Sequence, residues 1–257
     1  MAMTQVRPTQ SRRLYVVIPA AGRGSRMRSD VPKVLQIVGD EPMIKHVTKK
    51  ARLFLPEKII VVEPADNALS SAVDEEDVIF VTQSIPNGVA TAILEALPQI
   101  SEPADILILL GDSPLIDTKA VQSTVQKHQT EDNALTLLIG LSVEDYPYSR
   151  LVRAVDGGIS ALTLTSGVPG VKEYSLGPLI ASSELLRKFL PQVGPISDEF
   201  RLEGLVEMLV KAGLEVGTYA VSFEPNRWGI NDKRDLAKAR HLIRKLHQDP
   251  GSGRKQF

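Results

Sequence analysis

The sequence contains no cysteine. That excludes a disulfide framework, a thiolate zinc site and a cysteine nucleophile. An excess of charge of one sign is also missing. The formal net charge is -1 and the isoelectric point about 6.5, which argues against a broadly electrostatic nucleic-acid binder. No apolar run approaches the roughly 20 residues needed to span a bilayer. Internal repeats and interior Ser/Gly/Pro linkers are lacking too, so the chain reads as one domain. What is present is ordinary for a globular protein: 257 residues, 43% hydrophobic and 24% charged, enough to bury a substantial core.

One feature mimics an export signal. Arg12-Arg13 precede Leu14-Tyr15-Val16-Val17-Ile18. The run stops at Pro19 and meets Arg23 and Arg26, too soon for a signal peptide's apolar region. A buried first strand after a short polar arm is the expectation, in a cytoplasmic protein without a membrane partner.

Short continuous apolar runs alternate with helix-like segments. Residues 14–18, 58–62, 78–81, 106–110 and 134–140 read as strands covered on both faces. Residues 43–53, 89–97 and 118–129 between them read as helices. This order predicts an α/β fold, Rossmann-like, with a mostly parallel sheet and helices on both faces. The rhythm weakens after Tyr146, where residues 151–155, 159–165 and 174–180 read as short strands of a smaller irregular lobe. Helices are expected again at 184–189, 202–211 and 233–246, with a strand near 216–221. Residues 1–12 and 248–257 read as flexible ends around a single domain over 13–247.

In open α/β sheets, ligands bind beyond the carboxyl ends of the strands. The first strand is followed by Pro19-Ala20-Ala21-Gly22-Arg23-Gly24-Ser25-Arg26-Met27. Glycines allow a tight turn and close ligand approach, exposed N–H groups hold anions, and Arg23 and Arg26 can fork onto phosphate. A plain tight turn would have the same glycines. The Gly-Lys-Ser/Thr of a Walker loop is absent. The third position of a dinucleotide fingerprint is Met27, and its acidic residue would be Glu63, too far on. A nucleoside-triphosphate loop remains, with Val31-Pro32-Lys33 supplying another cation, although an isolated lysine is ordinarily a solvated surface residue.

Gly22-Arg23-Gly24-Ser25-Arg26-Met27 followed by Pro32-Lys33 resembles the signature of sugar-phosphate nucleotidyltransferases, and within them the uridyltransferase domain of N-acetylglucosamine-1-phosphate uridyltransferase. Further stations match in order from about residue 14 to 239. Gln83 and Gly88 resemble the base-reading segment, although Val89-Ala90-Thr91 then departs from the family's Thr-Gly-His. Leu110-Gly111-Asp112-Ser113-Pro114-Leu115 and Gly229-Ile230-Asn231 resemble the segments that carry the two metal ligands. Taken alone, Asp112 could close a turn, and Asn231 or Asp232 could cap a helix.

The resemblance implies a nucleotide-diphospho-sugar transferase fold with a β-containing acceptor lobe. It implies Mg²⁺ on Asp112 and Asn231, and catalytic charge from Arg26 and Lys33. Ala20, Ala21, Gly22, Gly24, Gln83 and Gly88 would bind a nucleoside triphosphate, UTP favoured. Tyr148, Ser149 and Ser175 would line the pocket for a phosphorylated, sugar-like acceptor.

The acceptor side departs most. Ser149 replaces a glycine, no acid lies near Leu164, and Ser175-Leu176-Gly177 lacks the family's Asn. Such losses should change acceptor choice, because unmatched buried polar groups cost heavily. A cytidylyltransferase of the same fold and a non-catalytic nucleotide-binding regulator are the alternatives; dinucleotide-dependent oxidoreduction is the weakest. No hexapeptide periodicity is present, so an acetyltransferase activity is not expected. His46, His128, His241 and His247 share no motif and read as structural.

Overall fold

The computed structural model describes residues 12–22, 24–146, 148–164, 170, 172–196, 198–224 and 229–248. The expected flexible ends therefore lie outside the described residues, except Arg12 and Gln248. Arg23 and Pro147 lie outside them as well.

The first strand, β1 (Arg13–Pro19), is the centre of one half of the sheet. Its alternate side chains serve two cores, as the pleat requires. Tyr15 and Val17 pack on one face, against the helix α3 (Val89–Ala96). Val16 and Ile18 pack on the other, against α1 (Met43–Arg52). In α1 the buried positions Met43, Ile44, Val47, Thr48 and Ala51 recur at helical spacing, which turns one stripe to the sheet.

β4 (Lys58–Pro64) and β6 (Ala104–Ile108) flank β1 in parallel, and β5 (Val78–Gln83) lies parallel outside β4. Beyond β6 come β10 (Lys172–Ser182), β7 (Leu135–Ser142) and β11 (Val216–Ser222). β11 is parallel to β7, whereas β10 runs antiparallel between β6 and β7. The mostly parallel sheet is therefore as expected, but the segment read as a short lobe strand is an 11-residue strand of the main sheet. Its register shifts between Ser175 and Leu179, where Gly177 takes a φ of +99° against Leu110. The expected strand over 174–180 spans that irregularity and falls short of the strand's full length at both ends. Its first half also carries β8 (Arg150–Arg153) and β9 (Ile159–Thr163), which form the smaller lobe.

The helix α4 (Thr118–Glu131) starts where Asp117 accepts hydrogen bonds from the N–H groups of Lys119 and Ala120. The short hairpin of β2 (Ile37–Val38) and β3 (Glu41–Pro42), and the helix α2 (Ala68–Ala72), have no counterpart in the sequence reading. Buried Glu63 accounts for α2: its carboxylate accepts from the N–H groups of Leu69 and Ser70. After α5 (Ser183–Phe189) and α6 (Leu202–Lys211), the chain closes with α7 (Lys233–Gln248). Leu236, Ala239 and Ile243 of α7 pack with Met27, Met43 and Leu115 in a separate small core. This cluster fastens the glycine loop to the end of the chain.

At the opposite end of the sheet, buried His128 pairs with Thr136 through Nδ1 at 3.0 Å and lies 4.0 Å from Asp105. Burial, then the nearby Arg12 guanidinium, push its pKa down to about 4. The neutral ring is therefore the folded form, and its stabilisation is complete above the unfolded value near 6.5. It is lost as pH falls from there toward about 4. Burial raises the Asp105 carboxyl, an effect of opposite sign on acidification. Urea unfolding should show about 1–2 kcal/mol less stability at pH 5 than at pH 7 from His128. His128→Asn should remove that part of the pH dependence.

Candidate active site

The carboxyl ends of β1, β4 and β5 surround an open cleft of about 390 Å³. Ala21, Gly22, Pro32, Ala65, Asp66 and Ser84 are among its lining residues. The chain leading into the loop is held where the Ala20 N–H donates to Val62 O at 2.9 Å. Gly22 has open space where a Cβ would project, so its backbone is accessible. Gly24 adopts φ +58° and packs against Lys33, where a Cβ would come within 2.6 Å of the lysine Cβ. The glycine thus seats Lys33. The 3₁₀ turn Ser25–Met27 follows, with Met27 buried as the anchor in the α7 core and Arg26 facing outward.

Two cation–oxygen contacts join distant parts of the chain. Lys33 Nζ lies 2.5 Å from Asp112 Oδ2, and both side chains are largely buried. Arg26 Nη2 donates to Asn231 Oδ1 at 3.0 Å. The two acceptor residues are themselves joined, because the Ile230 N–H donates to Asp112 O at 2.8 Å. Asp232 caps α7 by accepting from the N–H groups of Arg234 and Asp235. Asp235 reaches back to the Asn231 N–H at 3.0 Å. Capping therefore falls to Asp232, and the Asn231 carbonyl oxygen is left for the site.

Tyr148 closes this cluster. Burial, then the negative charges of Asp235 and Asp112, push its phenol up to about 12. It stays a neutral hydroxyl over the working pH range. Its ring packs edge-on against Phe223. Ser149 O accepts from the Ser175 N–H at 2.8 Å, which fixes the lobe strand to β10.

The sequence profile of the MobA-like NTP transferase domain matches residues 16–187. The chain belongs to that family. The bifunctional protein GlmU of Lactobacillus gasseri is 31% identical over 240 residues, covering 90% of this chain and 52% of that protein. GlmU of Methylobacillus flagellatus is 34% identical over 236 residues, with 90% and 50% covered. The chain thus spans about half the length of the curated relatives it matches. CMP:2-keto-3-deoxy-manno-octonic acid synthetase in complex with CTP superposes with a TM-score of 0.71 at 18% identity, over 91% of this chain and 99% of that one. That likeness shows a shared fold.

In this MobA-like NTP transferase, the structure brings together Arg26, Lys33, Asp112, Asn231 and Tyr148. Ala20, Ala21, Gly22 and Gly24 lie along the loop that borders the cleft. Gln83 is buried, with its Nε2 donating to Gly88 O at 3.1 Å and Thr91 Oγ1 at 2.8 Å. Ser84 and Pro86, not Gln83, are among the cleft's lining residues. Sequence reasoning missed Asp235 as the residue that positions Asn231. The pattern Asp232-Lys233-Arg234-Asp235 is a capping-box spacing that could have revealed it. It also missed the contact that holds Ser149, whose Oγ donates to Glu203 of α6, and no local motif marks it. Among the described residues no three His, Cys, Asp or Glu side chains cluster as a metal site, and no helix is long and apolar enough to cross a membrane.

Proposed function

We propose that this chain is a Mg²⁺-dependent nucleotidyltransferase that joins a nucleoside triphosphate, UTP favoured, to a sugar-1-phosphate. The observation that carries the reading is the meeting of Arg26, Lys33, Asp112 and Asn231, drawn from three separate stretches of sequence, beside an open cleft. An oxygen of the sugar phosphate attacks the α-phosphorus in line. The bond from that phosphorus to the bridging oxygen of the β-phosphate breaks, and pyrophosphate leaves with the electron pair. Both reactants are anions, so catalysis consists of positioning and charge neutralisation.

The donor set fits Mg²⁺. The Asp112 carboxylate and the Asn231 carbonyl are hard oxygen ligands, and each already faces a cationic side chain, Lys33 or Arg26. Mg²⁺ takes one or two protein oxygens and completes its shell with water and phosphate, so a third protein ligand is not required. When bound, the ion would supply charge neutralisation to the phosphates. Lys33 and Arg26 would donate to phosphate oxygens of the nucleotide, and the backbone at Ala21 and Gly22 would lie alongside it. Tyr148, held neutral, would donate its hydroxyl proton as a hydrogen bond on the acceptor side.

CTP is the second reading. Gln83 is buried and commits its amide N–H groups internally, so a base that reached it would find only the carbonyl oxygen as acceptor. Uracil N3–H and cytosine N4–H both qualify as donors to it. Pyrophosphate release with Mg²⁺ should be measured for UTP, CTP, ATP, GTP and dTTP against a panel of sugar-1-phosphates. Turnover confined to one nucleotide and one acceptor class is the expected result. Triphosphate binding without release for any pair would instead favour a nucleotide-binding regulator.

A further inference from the structure

Each of the two residues assigned to the metal is held by one of the two cations assigned to the phosphates. Lys33 Nζ lies 2.5 Å from Asp112 Oδ2, and the two side chains are only 14% and 17% exposed. Arg26 Nη2 donates to Asn231 Oδ1 at 3.0 Å. That amide is oriented from its other end, where Asn231 Nδ2 donates to Gly229 O at 3.2 Å. Both acceptor side chains converge on Gly229. A Cβ there would lie 3.2 Å from Asn231 Nδ2 and 3.7 Å from Asp112 Oδ1. The metal ligands and their cations therefore form one cluster, and a metal ion must compete with the chain's own charges for it.

The competition has a definite sign. A divalent ion on Asp112 would face the Lys33 ammonium across a single carboxylate, and like charges so close in a largely buried place repel strongly. Displacing Lys33 would leave that ammonium without its partner. A triphosphate without metal would draw Lys33 away and leave the Asp112 carboxylate unpaired beside phosphate oxygens of the same sign. Arriving together, the two avoid both costs. Phosphate oxygens take Lys33 and Arg26, Asp112 and Asn231 turn to the metal, and every charge keeps an opposite partner.

We propose that Lys33 and Arg26 gate the metal site, holding Asp112 and Asn231 closed to a free divalent cation and releasing them only to phosphate oxygens. The inference rests on the nucleotidyltransferase reading above and concerns the order in which its site is filled. Lys33 is the stronger gate, because its pair is charged on both sides and largely buried. Arg26 is the weaker, because its contact is exposed and its acceptor is a neutral amide.

Mn²⁺ binding without nucleotide, read from the electron paramagnetic resonance of the free ion, tests the gate apart from turnover. Lys33→Met removes the charge and keeps an unbranched stem against Gly24. It should bind Mn²⁺ about tenfold or more tighter than the wild type. Adding Asp112→Asn to Lys33→Met should abolish the gain. Arg26→Met should gain about threefold or less. In thermal unfolding, Mg²⁺ alone should raise the midpoint of Lys33→Met and leave the wild type unmoved. UTP, with CTP in a parallel series, should remove the difference. Protein-bound Mn²⁺, followed by water-proton relaxation, should then appear in the wild type at the concentrations that fill Lys33→Met alone. Should Lys33→Met fail to fold by circular dichroism, Lys33→Gln carries the same comparison. Equal Mn²⁺ affinity in the wild type and the folded uncharged variant would overturn the proposal. So would a gain that survives Asp112→Asn, since the ion would then sit elsewhere. Pyrophosphate release by a wild type whose Mn²⁺ affinity equals the variant's would overturn this inference alone. A wild type that releases no pyrophosphate with any pair would overturn the nucleotidyltransferase reading, and the gate with it.

Discussion

Asp112→Asn and Lys33→Ala should each lower pyrophosphate release by about two to four orders of magnitude while the protein stays folded. The reason lies in how the two groups are held. Lys33 Nζ and Asp112 Oδ2 are 2.5 Å apart, largely buried, and come from separate stretches of the chain. Asp112 also accepts from Ser113 Oγ, and its carbonyl holds the Ile230 N–H, so the carboxylate is fixed before any substrate arrives. Neutralising it removes the only formal negative charge we assign to the metal site. Removing Lys33 deletes a donor aimed at the same place and leaves a desolvated carboxylate unpaired. Lys33→Arg should not restore activity, because a bulkier planar fork cannot take the place of a compact ammonium held 2.5 Å from Asp112 Oδ2 on a stem seated against Gly24. The double variant should lose much less than the two single losses combined, since the residues act as a unit. Steady-state rates with a metal titration, alongside circular dichroism, check these outcomes. Turnover unchanged in either single variant would end the assignment.

The sheet was legible in the sequence because its strands are covered on both faces and read as unbroken apolar runs. Residues 58–62 and 78–81 lie within β4 and β5 for that reason. β10 was legible only in part: residues 174–180 read as a strand, but one of the smaller lobe, because local pattern does not report which strands a segment lies between. Arg26, Lys33 and Asp112 were marked in the sequence by motifs that resemble the nucleotidyltransferase signature, since taken alone Lys33 reads as a surface lysine and Asp112 as a turn residue; their meeting needed coordinates. Asn231 was legible through its motif, but its separation from the cap at Asp232 needed coordinates. Glu203 was invisible: it reaches Ser149 across 54 positions of sequence, and neither residue is unusual in its own neighbourhood. Local pattern reports what the backbone needs, whereas the contact of Ser149 with Glu203 is assembled by packing of α6 against the lobe.

Gly88→Ala should destabilise the protein by about 3 kcal/mol and disturb both halves of the cleft. Gly88 has φ +138°, a conformation L side chains rarely adopt. An added Cβ would fall 2.3 Å from Phe200 O and 2.7 Å from Phe200 N. Those are backbone atoms, so no rotamer change can relieve the overlap. The same stretch is held by two backbone bonds, Phe200 N–H to Asn87 O at 2.8 Å and Ala90 N–H to Phe200 O at 3.0 Å. Retreat of Phe200 would stretch both, and Glu203 follows three residues later. The loop between β5 and α3 would also lose the seat that Gln83 and Thr91 make on Gly88 O. Thermal unfolding should show a midpoint about 6–12 °C lower, and kcat/KM for both substrates should fall. Gly157→Ala is the control: φ is +86° there too, but nothing lies within 4 Å of the new methyl. Its cost should be about 1 kcal/mol, the backbone term alone. Equal losses in the two variants would mean that strain at the glycine, and not its contact with Phe200, sets the cost. A larger loss at Gly88 would assign the difference to the backbone junction between the β5–α3 loop and Phe200.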